Sequence, residues 1–144
     1  VQAYSEHLLP LATLVTPNRF EAERLTGIPL ESEAAAAAAV QRLQQMGATY
    51  VLIKLGAVDG KREHLLGLEN ENLGLAVPDL PIRGTHGTGC ILSAAITARL
   101  ALGGVEMRQA IKFGIERTYE AISIDSRLGR GIHPAETRGM SRES

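Results

Sequence analysis

The sequence predicts an α/β layered fold with a mainly parallel sheet, on three observations. Short apolar runs alternate with segments of helical pattern. The run at 50–55 is apolar almost throughout, as strands buried on both faces of a parallel sheet are. A glycine-rich loop at 84–90 stands directly ahead of a helical run, and ligands of open α/β sheets sit beyond the carboxyl ends of the strands.

Taken in order, residues 12–16 form a short, partly β-branched strand stopped by Pro17 and Asn18. Residues 19–26 are helical in pattern and closed by Gly27 and Pro29. A second helix spans 31–46, with Glu31 or Ser32 near its cap and Gly47 past its end; its alanine run is a helix signal. After the strand at 50–55, residues 58–74 read as polar and irregular, with a hairpin tip at 70–72. A short strand at 75–77 leads through Pro78 and Pro81 to the glycine loop. Helices follow at 91–102, expected to be largely buried because apolar residues occupy more than one face, and at 107–128. A loose polar tail is expected after Pro134, and no solenoid period is present.

Composition narrows the function. The chain has 144 residues, enough for one modest domain with a core, and opens on Val1 as a processed or excised piece would. Lys and Arg total 15 against 16 Asp and Glu with no basic run, which argues against nucleic acid. One cysteine rules out an internal disulfide and fits a reducing compartment. The apolar run at 8–15 is interrupted by Pro10 and far too short to span a bilayer, so a soluble, cytoplasmic chain is expected. With no Trp, 3 Tyr and 2 Phe, an adenine would rest mainly on aliphatic side chains and backbone.

Three places meet the ligand-site condition, each beside a plainer reading. Asn18 and Glu21, spaced i, i+3 at a helix start, match a capping box, and spacing alone favours that. Both are oxygen-bearing, so they also suit a hydrated Mg²⁺ held through water. Lys54 ends an apolar strand: it either snorkels to solvent or offers a point charge to a nucleotide phosphate. Gly84, Gly87 and Gly89 let a ligand approach the main chain, and the helix N-terminus beyond them favours an anion, with phosphate the usual one. Cys90 is either a small buried hydrophobe or a proton acceptor, because a helix N-terminus favours a thiolate. His86 has no spaced partner for a metal, and His7, His64 and His133 carry no assignment. The loop is neither a Walker sequence, lacking Lys-Ser or Lys-Thr after its last glycine, nor a convincing dinucleotide fingerprint.

In combination these stretches become recognisable. Residues 8–27 (L-L-P-L-A-T-L-V-T-P-N-R-F-E-A-E-R-L-T-G), 51–54 and 85–95 (T-H-G-T-G-C-I-L-S-A-A) resemble, in that order, the C-terminal half of the hydroxymethylpyrimidine and hydroxymethylpyrimidine-phosphate kinases of thiamine biosynthesis. These belong to the ribokinase-like superfamily, so the resemblance implies the C-terminal part of a three-layer ribokinase-like domain over 1–134, with 135–144 a disordered tail. It implies ATP and Mg²⁺ as cofactors and a small pyrimidine as substrate. Cys90 would be the catalytic base, standing where most of the superfamily has aspartate. Backbone N–H groups of Gly87, Thr88, Gly89 and Cys90 would form the anion hole, Lys54 would contact ATP phosphates, and Asn18 and Glu21 would organise the metal. The resemblance thus reverses the preference for a simple cap.

The sequence departs from the family at Lys54-Leu55-Gly56-Ala57, where K-G-G-H is common, and at Gly131-Ile132-His133-Pro134, where G-x-G-P is expected. Family members carry roughly a further half-chain upstream, so association with that half or homo-oligomerisation is expected. Alternatives are a pyridoxine or pyridoxal kinase, and a non-catalytic truncated homologue serving as a nucleotide-binding or partner module.

Overall fold

A computed structural model of the protein describes residues 2–80 and 87–124, together with 135 and 137. It divides into two units, Val1–Asp79 and Leu80–Ser144.

The first unit begins with a π-helical turn, Tyr4–Leu8, running into a 3-10 turn, Leu9–Leu11. Strand β1 (Leu14–Val15) follows and ends before Pro17, which has no N–H to donate to a ladder. Helix α1 (Arg19–Thr26) ends on Gly27 in the left-handed region, and α2 (Glu33–Gln45) starts at Ser32, whose hydroxyl accepts the Ala35 N–H at 3.1 Å. Three strands complete the unit: β2 (Tyr50–Val58), β3 (Lys61–Gly67) and β4 (Asn72–Pro78). The sheet order is β1-β2-β3-β4.

The α/β fold is as expected, but the sheet differs in strand direction. Only β1 and β2 run parallel; β2–β3 and β3–β4 are antiparallel. The cause is local. Asp59 and Gly60, at φ 47° and 74°, form a two-residue turn with both φ values positive, the hairpin turn that Asp-Gly favours. The stretch expected to be irregular is therefore mostly strand, although a hairpin tip near residue 70 is present, with the Leu68 N–H donating to Glu71 O at 2.9 Å. One sheet face supplies Val51 and Ile53, fully buried with Val40, Leu43 and Leu30. Removing side chains of this size from water contributes about 1.5–3 kcal/mol each.

In the second unit, α3 (Thr88–Ala101) and α4 (Met107–Ser123) pack as a helical hairpin. They pack closely at Gly114, where an added Cβ would stand 2.4 Å from Ile96 Cγ1. The sequence suggests a largely buried α3, yet only Leu92 and Ile96 are buried. Four of its apolar residues are alanines, Ala94, Ala95, Ala98 and Ala101, whose small apolar area makes exposure less costly than for a leucine. Residues 125–128 of the expected last helix and most of the tail 135–144 lie outside the described residues.

Candidate functional site

Strand β1 ends where Pro17 turns the chain into α1. The Pro17 carbonyl accepts the Lys54 N–H at 2.9 Å, and Asn18 forms a parallel bridge with Lys54. The fold thereby brings Asn18, Glu21 and Lys54, three residues expected at the site, to one end of the sheet. Asn18 Oδ1 accepts the Glu21 N–H at 2.9 Å, and Glu21 Oε2 accepts the Asn18 N–H at 2.7 Å. The capping box of the plainer reading is real. It occupies one acceptor of each side chain, and a carboxylate retains further lone pairs for a solvated partner.

Beyond Lys54 the β2–β3 register slips by one residue before Gly56, a β-bulge that ends regular pairing beside the site. The slip places His64 directly across from Lys54. Burial chiefly, then the charges of Lys54 and Arg62, lowers the His64 pKa from 6.5 to about 4, leaving the ring neutral at pH 7. Its Nδ1 is buried without a hydrogen-bond partner among the described residues. On the same strand, Arg62 Nε lies 2.7 Å from Asp79 Oδ1. Sequence reasoning leaves His64 unassigned: counting back from the Asp-Gly turn pairs it with Leu55, and only the bulge moves it to Lys54.

In the second unit, Gly87 is the N-cap of α3, at φ 89° and ψ −2°. Only glycine adopts that conformation without strain, so its place in the expected anion hole has a backbone reason. Thr88, Gly89 and Cys90 form the first helical turn, which holds no acidic residue, and the N-cap Gly87 offers no side chain to cap it. Cys90 is exposed, so the reading of it as a small buried hydrophobe is not what the fold shows. Gly84, Thr85 and His86 lie outside the described residues. Among the described residues no group of three or more His, Cys, Asp or Glu could hold a metal, and no helix is long and apolar enough to cross a membrane.

Known proteins give this geometry a class. The structure of Staphylococcus aureus pyridoxal kinase in complex with ADP superposes with a TM-score of 0.91 at 30% identity, covering 98% of this chain and 53% of that one. The protein is thus a ribokinase-like kinase in fold. A family model described as phosphomethylpyrimidine kinase matches residues 1–136, and the chain belongs to that family. The hydroxymethylpyrimidine/phosphomethylpyrimidine kinase of Haemophilus influenzae is 37% identical over 147 residues, covering 99% of this chain and 54% of the relative. A pyridoxine kinase of Bacillus subtilis is 36% identical, covering 94% and 51%. The chain spans about half the length of the curated relatives it matches.

Proposed function

We propose that this chain carries the nucleotide and phosphoryl-transfer half of an ATP- and Mg²⁺-dependent kinase that phosphorylates hydroxymethylpyrimidine and its monophosphate in the cytoplasm, for thiamine biosynthesis. The observation that carries the reading is the start of α3, within the family match, where a left-handed Gly87, with no side chain to offer as a cap, opens a turn with an exposed Cys90. Backbone N–H groups at such a terminus stabilise the charge on a transferring phosphoryl group without reorganising.

In this reaction the substrate oxygen attacks the γ-phosphorus of ATP, the bond to the β-phosphate oxygen breaks, and Cys90 Sγ accepts the substrate proton. Lys54 contacts the ATP phosphates as a point charge. The oxygen donors of Asn18, half-buried, and Glu21, exposed, with lone pairs left over by the cap, fit a magnesium ion held through water. When bound, that ion neutralises charge on the phosphates.

A second reading, pyridoxine or pyridoxal kinase, is favoured by the pyridoxine kinase relative, whose identity is nearly equal. Incubation with Mg-ATP and either hydroxymethylpyrimidine phosphate or pyridoxine, the chain alone and fused to the part of the Haemophilus kinase it does not match, separates them. Mass spectrometry is expected to find the pyrimidine diphosphate. Product from pyridoxine alone transfers the assignment to the second reading, and product from neither acceptor in the fusion overturns both.

A further inference from the structure

Strands β2 and β3 send successive side chains to opposite faces of the sheet. Val51 and Ile53 go to the face that packs with Val40 and Leu43 of α2, so Leu52 and Lys54 lie on the other. The register puts Leu66 across from Leu52 and His64 across from Lys54, and Arg62 follows His64 on the same face. Three basic side chains therefore share one end of a face whose inner part holds the fully buried Leu52 and Leu66. They are not engaged alike. Arg62 Nε lies 2.7 Å from Asp79 Oδ1, and the Asp79 N–H donates to Gly60 O at 2.8 Å, which fixes that partner in place. Among the described residues neither the Lys54 ammonium nor the His64 ring takes a hydrogen bond or an ion pair.

Residues directly opposed across an antiparallel ladder have Cβ atoms about 4.5–5.5 Å apart, so Lys54 and His64 can reach one small ligand together. Covering a polar ring without giving it a partner costs stability, and the leucines beside it at 65 and 66 show that apolar side chains fit this strand. The ring is half-buried with its Nδ1 enclosed, which leaves Nε2 as the nitrogen for a partner. The charges of Lys54 and Arg62 favour a lone pair over an N–H at the enclosed nitrogen, so the neutral ring carries its proton on Nε2. We propose that His64 is a second phosphate-binding residue of the Lys54 site, its Nε2–H and the Lys54 ammonium closing on the oxygens of one polyphosphate. The imidazole adds a directed donor without a second full charge, which suits a polyphosphate already partly neutralised by magnesium. This deepens the proposed function and rests on that reading for the ligand's being a nucleotide.

The test measures binding of magnesium tripolyphosphate, which has the phosphates of ATP without its adenosine, by titration calorimetry beside the melting temperature. It is run on this chain and on the fusion to the unmatched part of the Haemophilus kinase; the same result is expected in both, because the site lies within the first unit. His64→Leu is expected to weaken binding about tenfold, the scale of a lost hydrogen bond to a charged group. Its melting temperature should hold or rise, because an enclosed nitrogen without a partner leaves with the ring. His64→Gln keeps an N–H donor and should stay within about threefold of the parent, while Lys54→Met should weaken binding at least as much as His64→Leu. A histidine that only fills the strand gives the reverse, a lower melting temperature with unchanged affinity in His64→Leu, and that result overturns the proposal. So does a parent that binds no tripolyphosphate in either form, or unchanged affinity in Lys54→Met. Weakening in Lys54→Met alone removes His64 and leaves the kinase reading intact. The expected affinities in a fusion that phosphorylates neither acceptor sink the kinase reading and leave the phosphate grip standing.

Discussion

Two helix starts in this protein solve the same electrostatic problem in opposite ways. At α1 the chain closes its own end: Asn18 and Glu21 exchange hydrogen bonds with each other's backbone, and the glutamate adds negative charge to the first turn. At α3 the N-cap is Gly87, which has no side chain to offer, and no acidic residue follows in the first turn. The helix dipole is the same at both ends, so what differs is who supplies the negative charge. At α1 it is the protein; at α3 no side chain of the first turn does so, and under the proposed function a ligand takes that place and Cys90 accepts a proton.

The largest expected effect breaks the comparison at α3. Cys90→Ser, in the chain fused to the part of the Haemophilus kinase it does not match, is expected to lower turnover by about 10²–10⁴-fold, the range for loss of a positioned general base. Melting temperature should scarcely move, because the thiol is exposed. Turnover within threefold of the parent would remove Cys90 from the mechanism and return it to the status of a small side chain. Next in size, Gly87→Ala forces a β-carbon into a left-handed conformation at a cost of about 1–3 kcal/mol. Among the described residues no neighbour obstructs that β-carbon, so the cost counted here is conformational. It is expected to appear as a several-fold loss of kcat, with circular dichroism unchanged.

At α1 the roles of cap and metal organiser separate by substitution. Asn18→Ala removes one arm of the capping box and should cost about 1 kcal/mol of stability in urea unfolding. Glu21→Gln retains an oxygen acceptor for the Asn18 N–H and should cost only a few tenths of that, yet it removes the charge that a magnesium ion would feel. A raised magnesium requirement in Glu21→Gln, at nearly parental stability, supports the metal role. An unchanged requirement leaves Glu21 as a cap alone.

How much of this was legible in the sequence depends on the range of the interaction involved. The helix at 19–26 is read to the residue, because the Asn-x-x-Glu start and glycine stop are local signals. The start of α3 at Gly87 is legible because loop and helix adjoin in sequence. The direction of the sheet is missed although Asp59-Gly60 is itself a hairpin signal, since β3 opens on four polar residues, Lys61 to His64, and shows no alternation of its own. His64 is missed for a different reason. Its position opposite Lys54 depends on a one-residue bulge, and bulges follow from pairing between segments that neither segment specifies alone.

His64 gives a smaller effect than loss of the Asn18 cap and the sharpest reading of the α1 side, because it tests whether Lys54 faces a neutral neighbour. The imidazole has a lower pKa in the folded state, about 4, than its usual 6.5. Between those values the unfolded chain binds more protons than the folded one, so stability must fall as pH drops through this window. The contribution is intact above pH 6.5, declines from there and is fully lost by about pH 4. Over the single step from pH 7 to pH 6 the loss is about 0.7 kcal/mol. His64→Gln keeps a neutral, polar side chain across from Lys54 and cannot titrate, so its stability should be flatter over that step by the same amount. Carboxylates titrate mainly lower and are common to both proteins, so the difference between the two urea-unfolding series isolates the imidazole. Parallel pH profiles would mean that the ring is charged or solvated in the folded protein, and Lys54 would then stand beside a second cation as the pH falls.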